Sequence, residues 1–220
     1  MANKQKYSQM KSLPEKTIER LSVYRRTLLN CLSNGKEYIY SHELAELHNI
    51  TAVQVRRDLM LIGYSTTLKK GYDVKALVDL IGEILDADQG LNVAVVGIGN
   101  LGRAITAYFK GKRSRLQIVA AFDTDPEKVN SVISGVKCYS MNDLQDIIAQ
   151  KDISIGILTV PPDHASKVAE ALVVGGVKGI LNYTSVPVNV SSDIVLENYD
   201  MTTSLEKVAY YVKQYSGKTV

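Results

Sequence analysis

The chain is poor in residues that staple a fold, hold a metal or cross a membrane. Its 220 residues include two cysteines, Cys31 and Cys138, which lie far apart and share no CxxC or metal-ligand spacing. That excludes a disulfide framework and a thiolate metal site, and two buried, reduced thiols are expected. No stretch approaches the roughly 18 consecutive apolar residues of a transmembrane helix. The opening MANKQKYSQMKSLPEK has no apolar core of a secretory signal. A cytoplasmic protein without membrane association is expected. His42 and His48 have no acid or cysteine pattern joining them, so they read as surface residues and not as ligands. Repeats and low-complexity segments are also absent. What remains is an ordinary globular composition, long enough for one large domain or two modest ones.

Charge is unevenly placed. Residues 1–80 carry 13 Lys/Arg against 8 Asp/Glu, a balance of +5, while residues 81–220 carry 13 against 15, a balance of −2. A basic front on a near-neutral remainder points toward nucleic acid, although a solvated surface would give the same count.

The most informative stretch is LNVAVVGIGNLG, Leu91 to Gly102. A β-branched run enters Gly97-Ile98-Gly99-Asn100-Leu101-Gly102, and helix formers follow from Arg103. Strand, glycine turn and helix form the context in which GxGxxG marks a dinucleotide site. Gly97 permits the tight turn, Gly99 lets backbone approach a pyrophosphate, and Gly102 lets helix and strand pack closely. The phosphates would rest on the helix N-terminus. A second strand, Leu116 to Phe122, ends in Asp123, which lies 21 residues beyond Gly102. An acid there suits the ribose hydroxyls of NAD and repels the 2′-phosphate of NADP. The competing reading is a Rossmann domain that serves only as scaffold.

Upstream, Ser12-Leu13-Pro14-Glu15 predicts a helix start with Ser12 as cap, and Ile18, Leu21, Arg25, Leu28 and Leu32 share its inner face. Ser41 is expected to cap a short helix, His42 to His48. Thr51 opens a third helix, reaching about Ile62. Ala52, Val55, Leu59 and Ile62 fall on its buried side; Val53, Gln54, Arg57, Met60 and Leu61 fall outward, with Arg56 on the flank. A third helix with a basic, amide-bearing outer face is what a helix-turn-helix recognition helix requires. Arg suits guanine O6/N7 and Gln suits adenine N6/N7. Gly63 to Tyr72, with Lys69 and Lys70, can form a wing that contacts phosphate or minor groove. A small helical bundle used for protein contacts is the alternative. Asp73 to Asp88 reads as an amphipathic linker helix.

Downstream, a short helix is expected from Thr124-Asp125-Pro126-Glu127, strands at Val136–Tyr139, Ile153–Val160 and Val177–Asn182, and helices at Asn142–Gln150 and Asp163–Gly175. This alternation implies a mostly parallel sheet with a ligand at the carboxyl ends of its strands. A last helix, Met201 to Ser216, carries Leu205, Val208, Val212 and Tyr215 along one side and needs a partner for that stripe.

TVPPDHA, Thr159 to Ala165, resembles a turn of the glucose-fructose oxidoreductase-type dehydrogenases. A small NAD-dependent oxidoreductase of that type is the rival function. Those enzymes continue to a Glu-Lys-Pro turn with a catalytic lysine, whereas this chain reads Asn182-Tyr183-Thr184-Ser185 and leaves about 35 residues, too few for a substrate domain. His164 has no evident orienting acid and reads as a first-turn helix residue, not a base. No enzyme is expected.

ERLSVYRRTL, TAVQVRRDL, VVGIGNLGRA, AFDTDPEKV, ILTVP, GVKGILNY and ENYD together resemble the Rex family of bacterial redox-sensing transcriptional repressors over nearly the whole chain. The resemblance implies an α/β protein: a winged-helix domain with linker helix (1–88), a Rossmann domain (89–200) and a swapped C-terminal helix (201–220) in a homodimer. It implies binding to operator double-stranded DNA and release by NADH, with NAD and NADH as cofactors. By that resemblance Gly97 to Gly102 hold the pyrophosphate, Asp123 the adenosine ribose, and Thr159, Val160 and Pro161 lie near the nicotinamide. Tyr108 falls where the family has a tyrosine that moves with the nicotinamide ring. Arg26 and Asp200 fall where a first-helix arginine and a partner-chain aspartate meet in one state. Thr51, Val53, Gln54, Arg56, Arg57, Lys69 and Lys70 are the expected DNA contacts. The wing departs from the family's FGxxGxRGxGY pattern: Leu68 stands where its arginine usually is, followed by Lys69 and Lys70.

Overall fold

The computed structural model describes residues 13–65, 70–87, 89–110 and 115–216. Two compact units emerge, Met1–Ala87 and Asp88–Val220.

In the first unit, α1 (Glu15–Ser33), α2 (Ser41–Leu47), α3 (Ala52–Leu61) and α4 (Val74–Leu85) surround an apolar core. Leu21, Tyr24 and Leu28 of α1 meet Leu44, Val55, Leu59, Leu77 and Ile81 there. Two short strands, β1 (Tyr38–Ile39) and β2 (Tyr72–Asp73), pair antiparallel and tie the segment before α2 to that before α4. Several expected boundaries shift. Pro14 stands at the N-cap of α1 and not inside its first turn, its extended backbone offering a carbonyl to the N–H groups of Thr17 and Ile18 at 2.8 and 3.1 Å; Ser12 lies outside the described residues. Tyr40, not Ser41, caps α2. The Tyr40 N–H donates to the Glu43 carboxylate at 2.7 Å, while Ser41 turns its hydroxyl to Arg56 Nη1 at 3.1 Å. Helix α4 stops at Leu85, because Asp86 leaves helical geometry and pairs with Arg25 at 2.6 and 2.8 Å. That pair accounts for a charge on the inner face of α1.

The second unit is a seven-stranded sheet. Its strands are β3 (Leu91–Val96), β4 (Leu116–Asp123), β5 (Val132–Ile133), β6 (Val136–Ser140), β7 (Ile153–Leu158), β8 (Gly179–Asn182) and β9 (Val195–Asn198). Their order is β5-β6-β4-β3-β7-β8-β9, parallel throughout except at β5. Without β5, this is the doubly wound dinucleotide-binding order, whose chain direction reverses between its first and fourth strands, here β3 and β7. Helices α5 (Asn100–Phe109), α6 (Leu144–Gln150) and α7 (Pro162–Gly175) cover the sheet. Period-two alternation along β3 divides its side chains: Val93 and Val95 pack with Ile105 of α5, Ala94 and Val96 with Ile148 and Leu172 of α6 and α7.

Here too some expectations change. Residues 124–130 form turns and not a helix, with Asp125 Oδ1 accepting from the Glu127 N–H at 3.0 Å. Cys138 is buried, but Cys31 is only half-buried; both are free thiols. The final helix, α8 (Met201–Ser216), is exposed along its apolar stripe, with Leu205 at 70% and Tyr215 at 73%. Among the described residues no helix is long and apolar enough to cross a membrane, and no cluster of His, Cys, Asp or Glu is placed to hold a metal.

Candidate dinucleotide cleft and DNA-facing helix

At the β3/β7 reversal a cleft of about 720 Å³ opens, lined by Gly97, Gly99, Asp123, Lys128, Thr159 and Pro161 among others. Gly97 has φ +92°, and a Cβ there would lie 2.8 Å from both the Thr159 carbonyl oxygen and Val160 Cγ1. A Cβ on Gly102 would overlap the Gly97 carbonyl. Gly99 differs from both: nothing lies within 4 Å of the Cβ position. Two glycines therefore serve packing, and the third faces vacant space at the start of α5. The first turn of a helix leaves N–H groups without intrahelical acceptors, which suits an anion there. Thr159 braces the loop from β7, its hydroxyl 3.0 and 2.7 Å from the Val96 and Gly97 carbonyl oxygens.

Asp123 ends β4 at 9% exposure. Its carboxylate accepts from the N–H groups of Ile98 (2.7 Å) and Asp125 (2.9 Å) and from Lys128 Nζ (3.3 Å). Burial pushes its pKa up, but these donors outweigh burial and hold it below the ordinary aspartate value. It stays an anion at neutral pH. Lys128, which also reaches Asp125 at 3.3 Å, was given no role in the sequence reading. Its signal in the sequence is a lysine five residues past Asp123.

The structure does not bring every expected residue to the cleft. Ile98 is fully buried in the core beneath α5, and its N–H is directed to Asp123. Leu101 packs against that core, and Asn100 is exposed in the first turn of α5. Tyr108 lies two turns along α5, 60% exposed and edge-on to Phe109, outside the cleft lining. His164 does line the cleft, exposed in the first turn of α7.

In the first unit, Thr51 caps α3 by accepting from the Gln54 N–H at 3.1 Å. Val53, Arg56, Arg57, Met60 and Leu61 are exposed on its outer side. Gln54 is not: it is half-buried, and its Nε2 donates to Asp58 Oδ1 at 2.9 Å. Asp58 itself is fully buried. Its carboxylate also accepts from Arg20 Nε (2.6 Å), Arg20 Nη2 (2.7 Å) and the Tyr24 hydroxyl (2.9 Å). Because an ionised carboxylate only accepts, the Gln54 amide nitrogen has to face it. The sequence reading missed this network, although Asp58 sits at helical spacing among inward residues.

Lys70 is exposed, with its ammonium 5.9 Å from the centre of the Tyr38 ring; Lys69 lies outside the described residues. Arg26 is exposed, Nη1 3.5 Å from Ser22 Oγ. Asp200 caps α8, accepting from the Thr202 N–H at 2.8 Å and the Thr203 hydroxyl at 2.5 Å.

Residues 88–186 match the family model for a CoA binding domain, and residues 12–59 match that of a DNA-binding protein N-terminus. The redox-sensing transcriptional repressor Rex of Listeria welshimeri is 36% identical over 207 residues, 94% of this chain and 96% of that protein. Rex of Leuconostoc citreum is 36% identical over 212 residues, covering 96% and 98% of the two chains. A crystal structure of RSP with NAD⁺ and operator DNA superposes with a TM-score of 0.85 at 33% identity, covering 96% of this chain and all of that one. RSP with NADH gives 0.83 at 33% identity, covering 94% and 97%.

Proposed function

The chain belongs to the Rex family of redox-sensing transcriptional repressors, and from that premise we propose that it binds operator DNA through α3 and releases it when NADH fills the cleft. The observation that carries this reading is the joint presence, in one chain, of vacant space over Gly99 beside an ionised Asp123 and of a helix presenting Arg56 and Arg57 outward. Gly97, Gly99 and Gly102 shape the pyrophosphate seat, Asp123 takes the adenosine ribose, and Thr159, Val160 and Pro161 border the nicotinamide end.

No catalytic step is part of this reading. His164 is exposed, and no carboxylate among the described residues is hydrogen-bonded to it. The bound dinucleotide supplies only a difference in charge and shape: NAD⁺ carries a positive, planar ring and NADH a neutral, puckered one. If NADH prefers an arrangement unfit for DNA, DNA weakens NADH binding by the same factor that NADH weakens DNA binding. A coupling of about 1–3 kcal/mol changes occupancy several- to a hundredfold.

The functional unit in this reading is a cytoplasmic homodimer of the three segments 1–88, 89–200 and 201–220. The exposed stripe of α8 is covered by the second copy, Tyr108 follows the nicotinamide, and Arg26 meets Asp200 of the other copy in one state. The test is a mobility shift on a duplex that the protein itself selects from a random pool, titrated with NAD⁺, NADH and NADPH. NADH alone should release the DNA at low concentration. Equal potency of NADH and NADPH would contradict the role of Asp123, and indifference to all three would contradict sensing.

A further inference from the structure

Helix α3 has an ordinary apolar inner face, Val55 and Leu59, but its outer face is unusual. Its one acid, Asp58, is fully buried, while Val53 is 56%, Met60 70% and Leu61 44% exposed. Isolated apolar residues on a surface need no explanation. These share the outer side of one helix with Arg56 and Arg57, and Val53, Arg57 and Met60 recur at the i, i+4, i+7 spacing of a single face. No exposed acid on α3 opposes the two guanidinium groups, so the face complements a polyanion better than a neutral or basic protein surface. Gln54, the next residue along the chain, is half-buried and drawn back to Asp58. What remains at the leading end of the helix is an apolar tip with an arginine one turn behind it. Leading-end side chains of a recognition helix are those that reach base edges. The apolar group that bases offer in the major groove is the 5-methyl of thymine.

We propose that Val53 is a specificity-determining residue that packs on a thymine methyl in each operator half-site, next to the base pair read by Arg57. The proposal rests on the DNA-binding reading above and deepens it by naming a feature of the DNA that the chain requires.

The experiment uses the full-length protein and the duplex it selects from a random pool. Each thymine is replaced in turn by deoxyuracil, which removes one methyl group and keeps Watson–Crick pairing. One position per half-site should lose about fourfold in affinity, the worth of burying a single carbon, while other positions change little. Val53→Ala should bind the thymine duplex more weakly and lose that position's discrimination against deoxyuracil. Met60→Ala should retain it. Selection of a sequence with no deoxyuracil-sensitive thymine overturns the inference and leaves DNA binding intact, as does sensitivity unchanged in Val53→Ala. Failure to bind any duplex, or capture of a protein by this face instead, overturns the DNA reading and the inference together.

Discussion

Asp58→Ala removes the acceptor on which the first unit's polar interior converges. The substitution leaves the buried Tyr24 hydroxyl, the Arg20 guanidinium and the Gln54 amide without their shared partner. Breaking a buried pair by deleting one member costs about 3–5 kcal/mol. Arg20 retains 26% exposure, so water recovers part of its solvation, and about 3 kcal/mol is the figure to expect. Hydrogen exchange read on separate peptides is the suitable assay, because it reports each unit by itself. Core amides of α1 and α3 should exchange on the order of a hundredfold faster, and those of β3 and β7 should be unchanged. Tyr24→Phe removes a donor together with its own need for a partner, and should cost about 1 kcal/mol. The pH dependence has a definite sign. Burial raises the Asp58 pKa, but hydrogen bonds from Arg20, Tyr24 and Gln54 outweigh it and hold the native value below that of ordinary aspartate. The network's stability is therefore complete above the unfolded value of about 4 and is lost as pH falls through the lower native one. Exchange within threefold of wild type in Asp58→Ala would refute the assignment of this network as the lock between α1 and α3.

Other outcomes follow from the two sites. Gly99→Val fills vacant space at φ −79°, so the fold should survive, dinucleotide affinity should fall and DNA binding should stop responding to NADH; calorimetry showing unchanged NADH affinity would end this reading of the loop. Lys69 and Lys70 changed together to Ala should weaken specific and non-specific DNA alike and lower the salt slope by roughly one unit per lost phosphate contact; loss of specificity alone would mean that the wing reads bases. For Arg26→Ala, Asp200→Ala and the double variant, the quantity to measure is the factor by which NADH weakens DNA binding. Each single change should reduce it and the double change little further, whereas additivity or a full response in all three would sink the latch.

The parts legible in the sequence were those whose cause is local. Val93 to Gly102 announces a strand, a turn only glycine fits and a helix in consecutive residues, and Asp123 follows at the spacing the sheet imposes. Helical periodicity placed Val55, Leu59 and Ile62 inward and Val53, Arg57 and Met60 outward. The misses depend on partners distant in the chain. Strand β9 has weak alternation and sits at the sheet edge, held by its parallel register with β8. Gln54 reads as an outward amide until Asp58 is recognised as buried, and Asp58 can be buried because Arg20 and Tyr24, more than thirty residues earlier, supply donors. The cap of α2 falls one residue earlier than Ser41, where Glu43 accepts from the Tyr40 N–H, and Ser41 is engaged by Arg56 of the next helix.

The hydrogen bond from the Ile98 N–H to Asp123 has a consequence for any attempt to retune the cleft toward NADP. Relief of charge repulsion alone would favour a neutral or basic replacement, as though the acid stood apart from the fold. Here the same carboxylate holds the glycine turn from the end of the neighbouring strand β4. Exchange for arginine would leave a buried N–H without its acceptor, at about 1–3 kcal/mol, and would loosen the glycine loop proposed to seat the pyrophosphate. Under the proposed function, a preference for one nucleotide over the other and the shape of the phosphate seat are thus inherited together. A variant lineage that changed the first would first need a new acceptor for Ile98, and asparagine, which keeps an uncharged amide oxygen at that place, is the replacement that leaves the route open.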